Sequence, residues 1–486
     1  MFENDMSPLW LAADSPLLLR PGTLDKSMPR AAELGLDETG NPGLDPGPDR
    51  EAETNSQPAA PSLQAPVSIL PLAPRRVQDT GVSEALLLEL LVKVLYLRGQ
   101  LRLPELSAHL CLPATALEAL LGFLRSERLC EMSRRGETDA AMAFNLTELG
   151  RNRARDFLRR SQYAGPAPVS LEAYVAQVRH QSVKTMQVTQ PQLQAAFHDV
   201  VIRPQITEQF GAAMNSGRAI FVYGPPGSGK TYVSELLVRL LSGRVAIPHA
   251  VAVDNEIMQV YDPMVHSAVA EPLANRGLDR GAGRDLRWVA CDRPVVRTGA
   301  ELTLSMVDLQ FDREAGFYQA PPQVKANNGL FIIDDLGRQL VPAQSLMNRW
   351  IVPLDRGIDY LGLHTGAKFL VPFDVIVVFS SNLLPSQLAD EAFLRRLGYK
   401  IHIGHINEHD YRAIFQQVCE KFAIPCSRTA VDHLLRHHAA EDRPLLACLP
   451  RDLLEQVRDR ARFQGQAAEL SAANLDWAWD NYFAKL

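Results

Sequence analysis

Eight consecutive residues, Gly224-Pro225-Pro226-Gly227-Ser228-Gly229-Lys230-Thr231, join three glycines to a cation and a hydroxyl. Glycine has no Cβ, so main-chain N–H groups in such a loop can curl around an anion. The apolar run Ala219-Ile220-Phe221-Val222-Tyr223 precedes the loop, and Leu236-Leu237 and Leu240-Leu241 recur at helical spacing after it. Strand, glycine loop and helix in that order make a phosphate-binding loop, with the positive end of the helix dipole aimed at the anion. In that reading Lys230 reaches the β- and γ-phosphates, and the Thr231 hydroxyl holds Mg²⁺. A Gly/Pro turn with a chance Lys-Thr is the competing reading, and the flanking pattern disfavours it.

Such a loop needs acids near the metal and the attacking water. Leu330-Phe331-Ile332-Ile333-Asp334-Asp335 is a fully apolar strand ending in two carboxylates, the pattern of a buried parallel strand with a metal site at its end. Asp334 is the expected Mg²⁺ ligand, through water, and Asp335 stands where a general base would polarise the nucleophile. A second apolar run, Val375 to Ser381, ends in Asn382; ligands collect at carboxyl ends of parallel strands, which puts Asn382 near the γ-phosphate or the water. Asp390-Glu391-Ala392-Phe393-Leu394-Arg395-Arg396-Leu397 is by itself a charged helix end, and Leu449-Pro450-Arg451-Asp452 opens another helix.

The chain has 486 residues, 46% of them hydrophobic and 22% charged, which suits several soluble globular domains. Net charge is −6, and residues 1–80 carry twelve acids against six basic residues, so the rest is near neutral. No broad basic surface of a sequence-independent nucleic-acid binder is expected. Cys111, Cys130, Cys291, Cys419, Cys426 and Cys448 show no Cys-x-x-Cys spacing, so reduced thiols and a cytoplasmic location are expected. No apolar run approaches the ~18 residues of a membrane span.

The elements around the loop fall into five stretches. Residues 1–80 hold twelve of the 33 prolines and read as a disordered acidic tail. Residues 81–163 alternate helices and short strands: Leu86, Leu87, Leu90, Leu91, Val94 and Leu95 at helical spacing, a helix from Pro104, a third from Ala114 to Arg125, two strands around a polar tip, and an arginine-rich last helix. That order resembles a winged helix. The turns that would read bases hold Ala114, Thr115, Ala116, Glu118 and Ala119, so docking of a protein is favoured over binding of DNA. Residues 164–190 read as a linker with a connecting helix over Val169 to Gln181, 191–405 as the nucleotide core, and 406–486 as a helical lid.

Taken in order, the Gly224–Thr231 loop, Asp334-Asp335, Asn382, Arg395-Arg396 and Arg451 resemble the AAA+ ATPase family over about residues 190–486. The resemblance implies an α/β fold with an αβα core and a small helical lid. It implies a homo-oligomeric ring, often of six subunits, with nucleotide between neighbours. It assigns a sensor role to Asn382, an arginine finger to Arg395 or Arg396, and a nucleotide contact from the lid to Arg451. Val200-Val201-Ile202 would pack on adenine. Ala326-Asn327-Asn328-Gly329 and a hairpin over Ile358 to Leu370 are similar to the MoxR-like and enhancer-binding branches. The whole chain looks like bacterial proteins labelled "ATPase with chaperone activity". Two departures stand out. Most relatives have Glu at the position of Asp335, and the stretch from Lys230 to Asp334 is long. The excess around 275–323 holds Trp288, Phe311, Phe317 and Tyr318, either pore-lining or packing an inserted hairpin. The expected function is a Mg²⁺-dependent ATPase that remodels an unknown protein client; the alternative is a DNA-associated regulator or loader using ATP as a switch.

Overall fold

Five apolar runs pair into one parallel sheet: β1 (Ile220–Tyr223), β2 (Val295–Thr298), β3 (Leu330–Ile333), β4 (Ile376–Ser381) and β5 (Tyr399–His402), in the order β2-β3-β4-β1-β5. Side chains alternate between two faces along a strand, and the two faces bury different clusters. Ile220, Val222, Ile332, Val378 and Ile401 join Leu193, Phe210, Met214 and Val233 from the helices Gln190–Ala196, Pro204–Ser216 and Lys230–Leu236. Phe221, Phe331, Ile333, Val377 and Phe379 join Leu346 and Met347 from the helix Ala343–Arg349, Trp350 at the joint, and Leu354 from the helix Ile351–Arg356. Helices therefore cover both sides of the sheet, which is why its strands read as unbroken apolar runs. This is the αβα core expected from the sequence. The computed structural model describes residues 69–134, 142–270, 283–388 and 390–483, all within the compact unit Ala65–Leu486.

The length between Lys230 and Asp334 is built into a second sheet rather than into a single inserted hairpin. Strands Gln310–Asp312, Phe317–Gln319, Glu256–Gln259, Ala250–Val253 and Val169–Ser170 pair side by side in that order. A ribbon, Arg244–Pro248 with Trp288–Asp292, packs into the same core. The extra chain thus begins at Arg244, earlier than the 275–323 expected. Trp288 and Tyr318 are buried in this core, and the Phe317 ring lies edge-on to Tyr163 at 5.5 Å. Of the two readings of these aromatics, their contacts favour packing, already the more expected one. The hairpin Ile358–Gly362 with Lys368–Pro372 forms as expected. Its Leu361 and Val371 pack on the second sheet, while Tyr360 and Leu370 face outward.

The N-terminal module follows the expected order: helices Glu84–Arg98, Leu103–Leu110 and Ala114–Ser126, strands Cys130–Arg134 and Met142–Leu146, then helix Glu148–Arg160. It is bolted to the second sheet. Its core includes Ala250 and Ile257 from that sheet, and buried Arg287 donates to Asp285 and to the carbonyls of Thr80 and Pro168.

Two boundaries read from the sequence change. The expected tail, 1–80, lies outside the described residues only as far as 68; Asp285 N donates to Pro71 O, and Val77 and Thr80 are buried. Residues 164–190 are not a free linker, because Val169 pairs with Val251 and helix Leu171–His180 buries Tyr174 and Val178 in the second core. The lid is four helices, Glu408–Phe422, Arg428–Ala440, Leu449–Phe463 and Ala472–Tyr482, around their own core. Among the described residues no single helix is long and apolar enough to cross a membrane.

Candidate active site

The carboxyl ends of β1, β3 and β4 lie side by side, and each carries one expected site segment. The Gly224–Thr231 loop leaves β1 and turns into the helix that starts at Lys230. Its glycines are obligatory for two physical reasons. A Cβ on Gly224 would stand 1.9 Å from the Ile403 carbonyl oxygen, and Gly227 has φ +77 with a would-be Cβ 2.6 Å from Cys448 Sγ. Only a residue without Cβ fits either place.

Lys230 is buried, and its ammonium donates to Gly224 O at 3.1 Å, Pro225 O at 2.9 Å and Asn382 Oδ1 at 2.7 Å. All three of its protons are thereby used. Burial pulls its pKa below the ordinary lysine value, and the charges of Asp334 and Asp335 oppose that pull. Asn382 Nδ2 in turn donates to Asp335 Oδ1 at 3.2 Å. The result is a continuous chain, Lys230 to Asn382 to Asp335, drawn from β1, β4 and β3.

The two acids sit on a tight turn. Asp334 Oδ1 accepts from Asp335 N at 3.0 Å, and Asp335 has φ +48. Asp and Asn tolerate this left-handed region better than other side chains with a Cβ. Gln339 holds the turn from behind, its amide donating to Gly299 O at 3.1 Å and Asp334 O at 3.2 Å while its carbonyl accepts from Gly337 N at 2.8 Å. Nothing in the spacing of Gln339 marked it in the sequence; it is a positioning residue found only through its contacts.

The donor set suits a triphosphate and its metal. The Ser228 hydroxyl is buried with no partner among the described residues, Thr231, in the first turn of the helix that follows, is exposed, and a hydroxyl with a carboxylate such as Asp334 is an oxygen set of the kind Mg²⁺ takes. Val200 and Ile202 pack partly into the first core, between the helices that end at Ala196 and begin at Pro204.

The remaining candidates stand apart from this cluster. Arg395 is 76% exposed and pairs with Glu391 at 2.7 Å. Arg396 is less exposed, its Nε bonded to Asp355 at 2.7 Å on helix Ile351–Arg356. Arg451 lies in the first turn of the third lid helix, exposed and paired with Glu455 at 3.0 Å. The lid meets the loop through other atoms: Cys448 N donates to Gly227 O at 3.1 Å. Sequence reasoning missed this joint, since Cys448 carried no motif.

Asn327 and Asn328 find a structural use. Asn327 Nδ2 donates to Tyr174 Oη at 2.8 Å, and Asn328 Nδ2 to Val178 O at 2.8 Å and Asp374 Oδ2 at 2.6 Å. They tie helix Leu171–His180 to the end of the hairpin rather than touching the loop.

A domain of unknown function (DUF8689) matches residues 407–481, which cover the lid. No curated protein matches the sequence. Among solved structures, NtrX from Brucella abortus in complex with ADP is similar at 13% identity and TM-score 0.36, over 58% of this chain and 56% of that one. The same protein in complex with ATP is similar at 14% identity and TM-score 0.36, over 64% and 63%. A point mutant of RuvB from Thermotoga maritima is similar at 9% identity and TM-score 0.34, over 57% and 69%. The match spans 56% to 63% of the NtrX chains, and all these likenesses are distant.

Proposed function

We propose that this chain is a Mg²⁺-dependent AAA+ ATPase that assembles as a ring and remodels a protein partner. The observation that carries the proposal is the hydrogen-bonded chain from Lys230 through Asn382 to Asp335, at the strand ends where α/β sheets bind ligands. Lys230 and the loop amides bind the phosphates. Asn382 holds both the ammonium and the carboxylate in register. Asp335 takes the proton of the attacking water. Thr231 and Asp334 would hold Mg²⁺, which when bound neutralises charge on the phosphates.

Of the two arginines, Arg395 is the finger. Its side chain is exposed and, among the described residues, carries only a solvent-screened pair to Glu391, so releasing it to a neighbouring subunit costs little. Arg396 braces the segment through Asp355. Arg451 reaches the nucleotide from the lid. The hairpin Ile358–Pro372, with Tyr360 and Leu370 outward, keeps the likeness to the MoxR-like branch, whereas Asn327 and Asn328 lend it no weight, because their contacts are internal.

The N-terminal module docks protein. The outer stripe of helix Ala114–Ser126 exposes Ala114, Thr115, Glu118, Ala119, Gly122 and Phe123 ahead of its first arginine, Arg125. Arg151, Arg159 and Arg160 are each paired with a carboxylate on their own module. Neither surface offers phosphates an uncompensated row of cations.

Steady-state phosphate release by the full chain with ATP and Mg²⁺, compared with Lys230→Ala, tests the catalytic part. Turnover is expected to vanish in the variant, and equal rates would refute the assignment. A salt titration of duplex binding tests the docking part; tight binding at physiological salt with a steep slope would instead favour the DNA reading.

A further inference from the structure

The lid holds a second cluster of chemical groups that shares no residue with the nucleotide site. His433 and His437 lie four apart on helix Arg428–Ala440, so both rings leave the same face. Asp476 faces them from helix Ala472–Tyr482. Its Oδ1 lies 2.6 Å from His433 Nε2 and 2.9 Å from His437 Nε2, and the two ring nitrogens are 3.2 Å apart.

Protons alone serve this triangle poorly. With a proton on each Nε2, both rings donate to the carboxylate but face each other as donors. With one nitrogen bare, its lone pair opposes the carboxylate oxygen. A cation at the centre satisfies all three contacts together. Zinc bonds of ~2.0–2.1 Å to imidazole and carboxylate set tetrahedral edges of roughly 3.3 Å; the two ring nitrogens already stand 3.2 Å apart, and Asp476 Oδ1 has only to draw back from its 2.6 and 2.9 Å contacts to admit the ion. The groups are held in place by packing: the His437 ring lies 4.8 Å from that of His433 and 5.7 Å from Trp479. Each of the three is only half-buried, which leaves a fourth position open to water. Two imidazoles and one carboxylate select a first-row divalent ion of the zinc type over Mg²⁺.

We propose that His433, His437 and Asp476 form a zinc site that clamps the second and fourth lid helices together. All three lie inside the 407–481 segment that matches the domain of unknown function, so the site belongs to the lid and not to the ATPase core.

The test uses the full chain, stripped with a chelator and desalted, with Zn²⁺ or Co²⁺ alone as the probe and no nucleotide. Calorimetry is expected to show a single saturable Zn²⁺ site, thermal unfolding to shift upward with Zn²⁺, and Co²⁺ to give visible absorption bands of a low-coordinate site. Asp476→Asn and His437→Gln are expected to weaken Zn²⁺ by at least the ~10–100-fold that loss of even an outer-shell partner costs. Lys230→Ala is expected to bind Zn²⁺ unchanged, which separates this site from the phosphate loop. Asp476→Asn is nearly isosteric and guards against loss of fold, which circular dichroism checks. Absence of saturable Zn²⁺ binding and of Co²⁺ bands in the folded chain overturns the proposal. So does binding by Asp476→Asn and His437→Gln equal to that of the natural sequence.

Discussion

Lys230 and Asn382 lie 152 residues apart in the chain and meet at 2.7 Å, Nζ donating to Oδ1. The asparagine amide then donates to Asp335, so one neutral side chain spans a buried cation and a carboxylate. Asn382→Ala should leave nucleotide binding nearly intact and lower the turnover rate by about 10²-fold, the scale of losing one preorganised polar group. Single-turnover kinetics with a fluorescent ATP analogue would separate the two. An unchanged rate would mean that the amide has no part in the chemistry.

Asp335 bears on the same point from the backbone. The resemblance to AAA+ sequences leads one to expect Glu there, yet φ is +48 at this residue, and longer side chains are less at ease in that region than Asp. Asp335→Glu is therefore expected to cost about 1 kcal/mol of stability and to bring no gain in rate. Asp335→Asn should keep the fold and the contact with Asn382 while abolishing hydrolysis. Thermal melts beside phosphate release decide this. A faster, equally stable Asp335→Glu protein would refute the backbone explanation.

Arg395 and Arg396 should separate cleanly. Arg395→Ala is expected to spare stability, since an exposed pair contributes ~0–1 kcal/mol, and to lower turnover on the order of 10³-fold or more. Mixing it with Lys230→Ala subunits should restore some turnover, because sound loops then meet sound fingers. Arg396→Ala should instead loosen the brace to Asp355 and retain activity. No recovery in the mixture would argue that the site is complete within one subunit.

How much of this was legible beforehand follows from locality. The loop, β3 with its acids and β4 with Asn382 are continuous segments whose apolar runs and terminal polar residues announce themselves. The Gly224 constraint comes from Ile403 O, and the Gly227 constraint from Cys448; both are distant in the chain and carry no local signal. The second sheet carries little local signal because its strands, such as Phe317–Gln319 and Val169–Ser170, are two to four residues long and interleave with core elements. The aromatics Trp288 and Tyr318 were visible, but whether a ring packs or points outward depends on partners like His364, whose ring nitrogen meets the Tyr318 hydroxyl.

Lys93 gives a pH-dependent prediction. Its side chain is fully buried, donating to Glu89 at 3.2 Å and Ser161 O at 3.1 Å. Burial lowers its pKa, while the Glu89 charge resists. Between that lowered value and the ordinary one of about 10.4, the unfolded chain binds more protons than the folded one. Stability from this group therefore rises with pH across that interval. Lys93→Met removes the effect, so stability of the natural chain minus that of the variant should climb as pH approaches about 10.4 from below. Denaturant melts over that range measure the difference, and a flat difference would show that Lys93 titrates normally.

The joint between lid and loop predicts coupling between Gly227 and Cys448. Gly227→Ala forces a Cβ to 2.6 Å from Cys448 Sγ at φ +77. The backbone part should cost roughly 1–2 kcal/mol and the crowding a further ~1–3 kcal/mol. In Gly227→Ala with Cys448→Ala the sulfur is gone, and the nearest remaining atoms, Leu446 Cδ1 at 3.5 Å and Cys448 Cβ at 3.8 Å from the added methyl, are ordinary contacts. The double variant should therefore recover the crowding part and retain the backbone part, and its ATP affinity should recover only partially. Effects that add to within ~0.3–0.5 kcal/mol would mean that lid and loop do not touch here in solution. Recovery instead makes Cys448 the point through which closure of the lid is felt by the phosphate cradle.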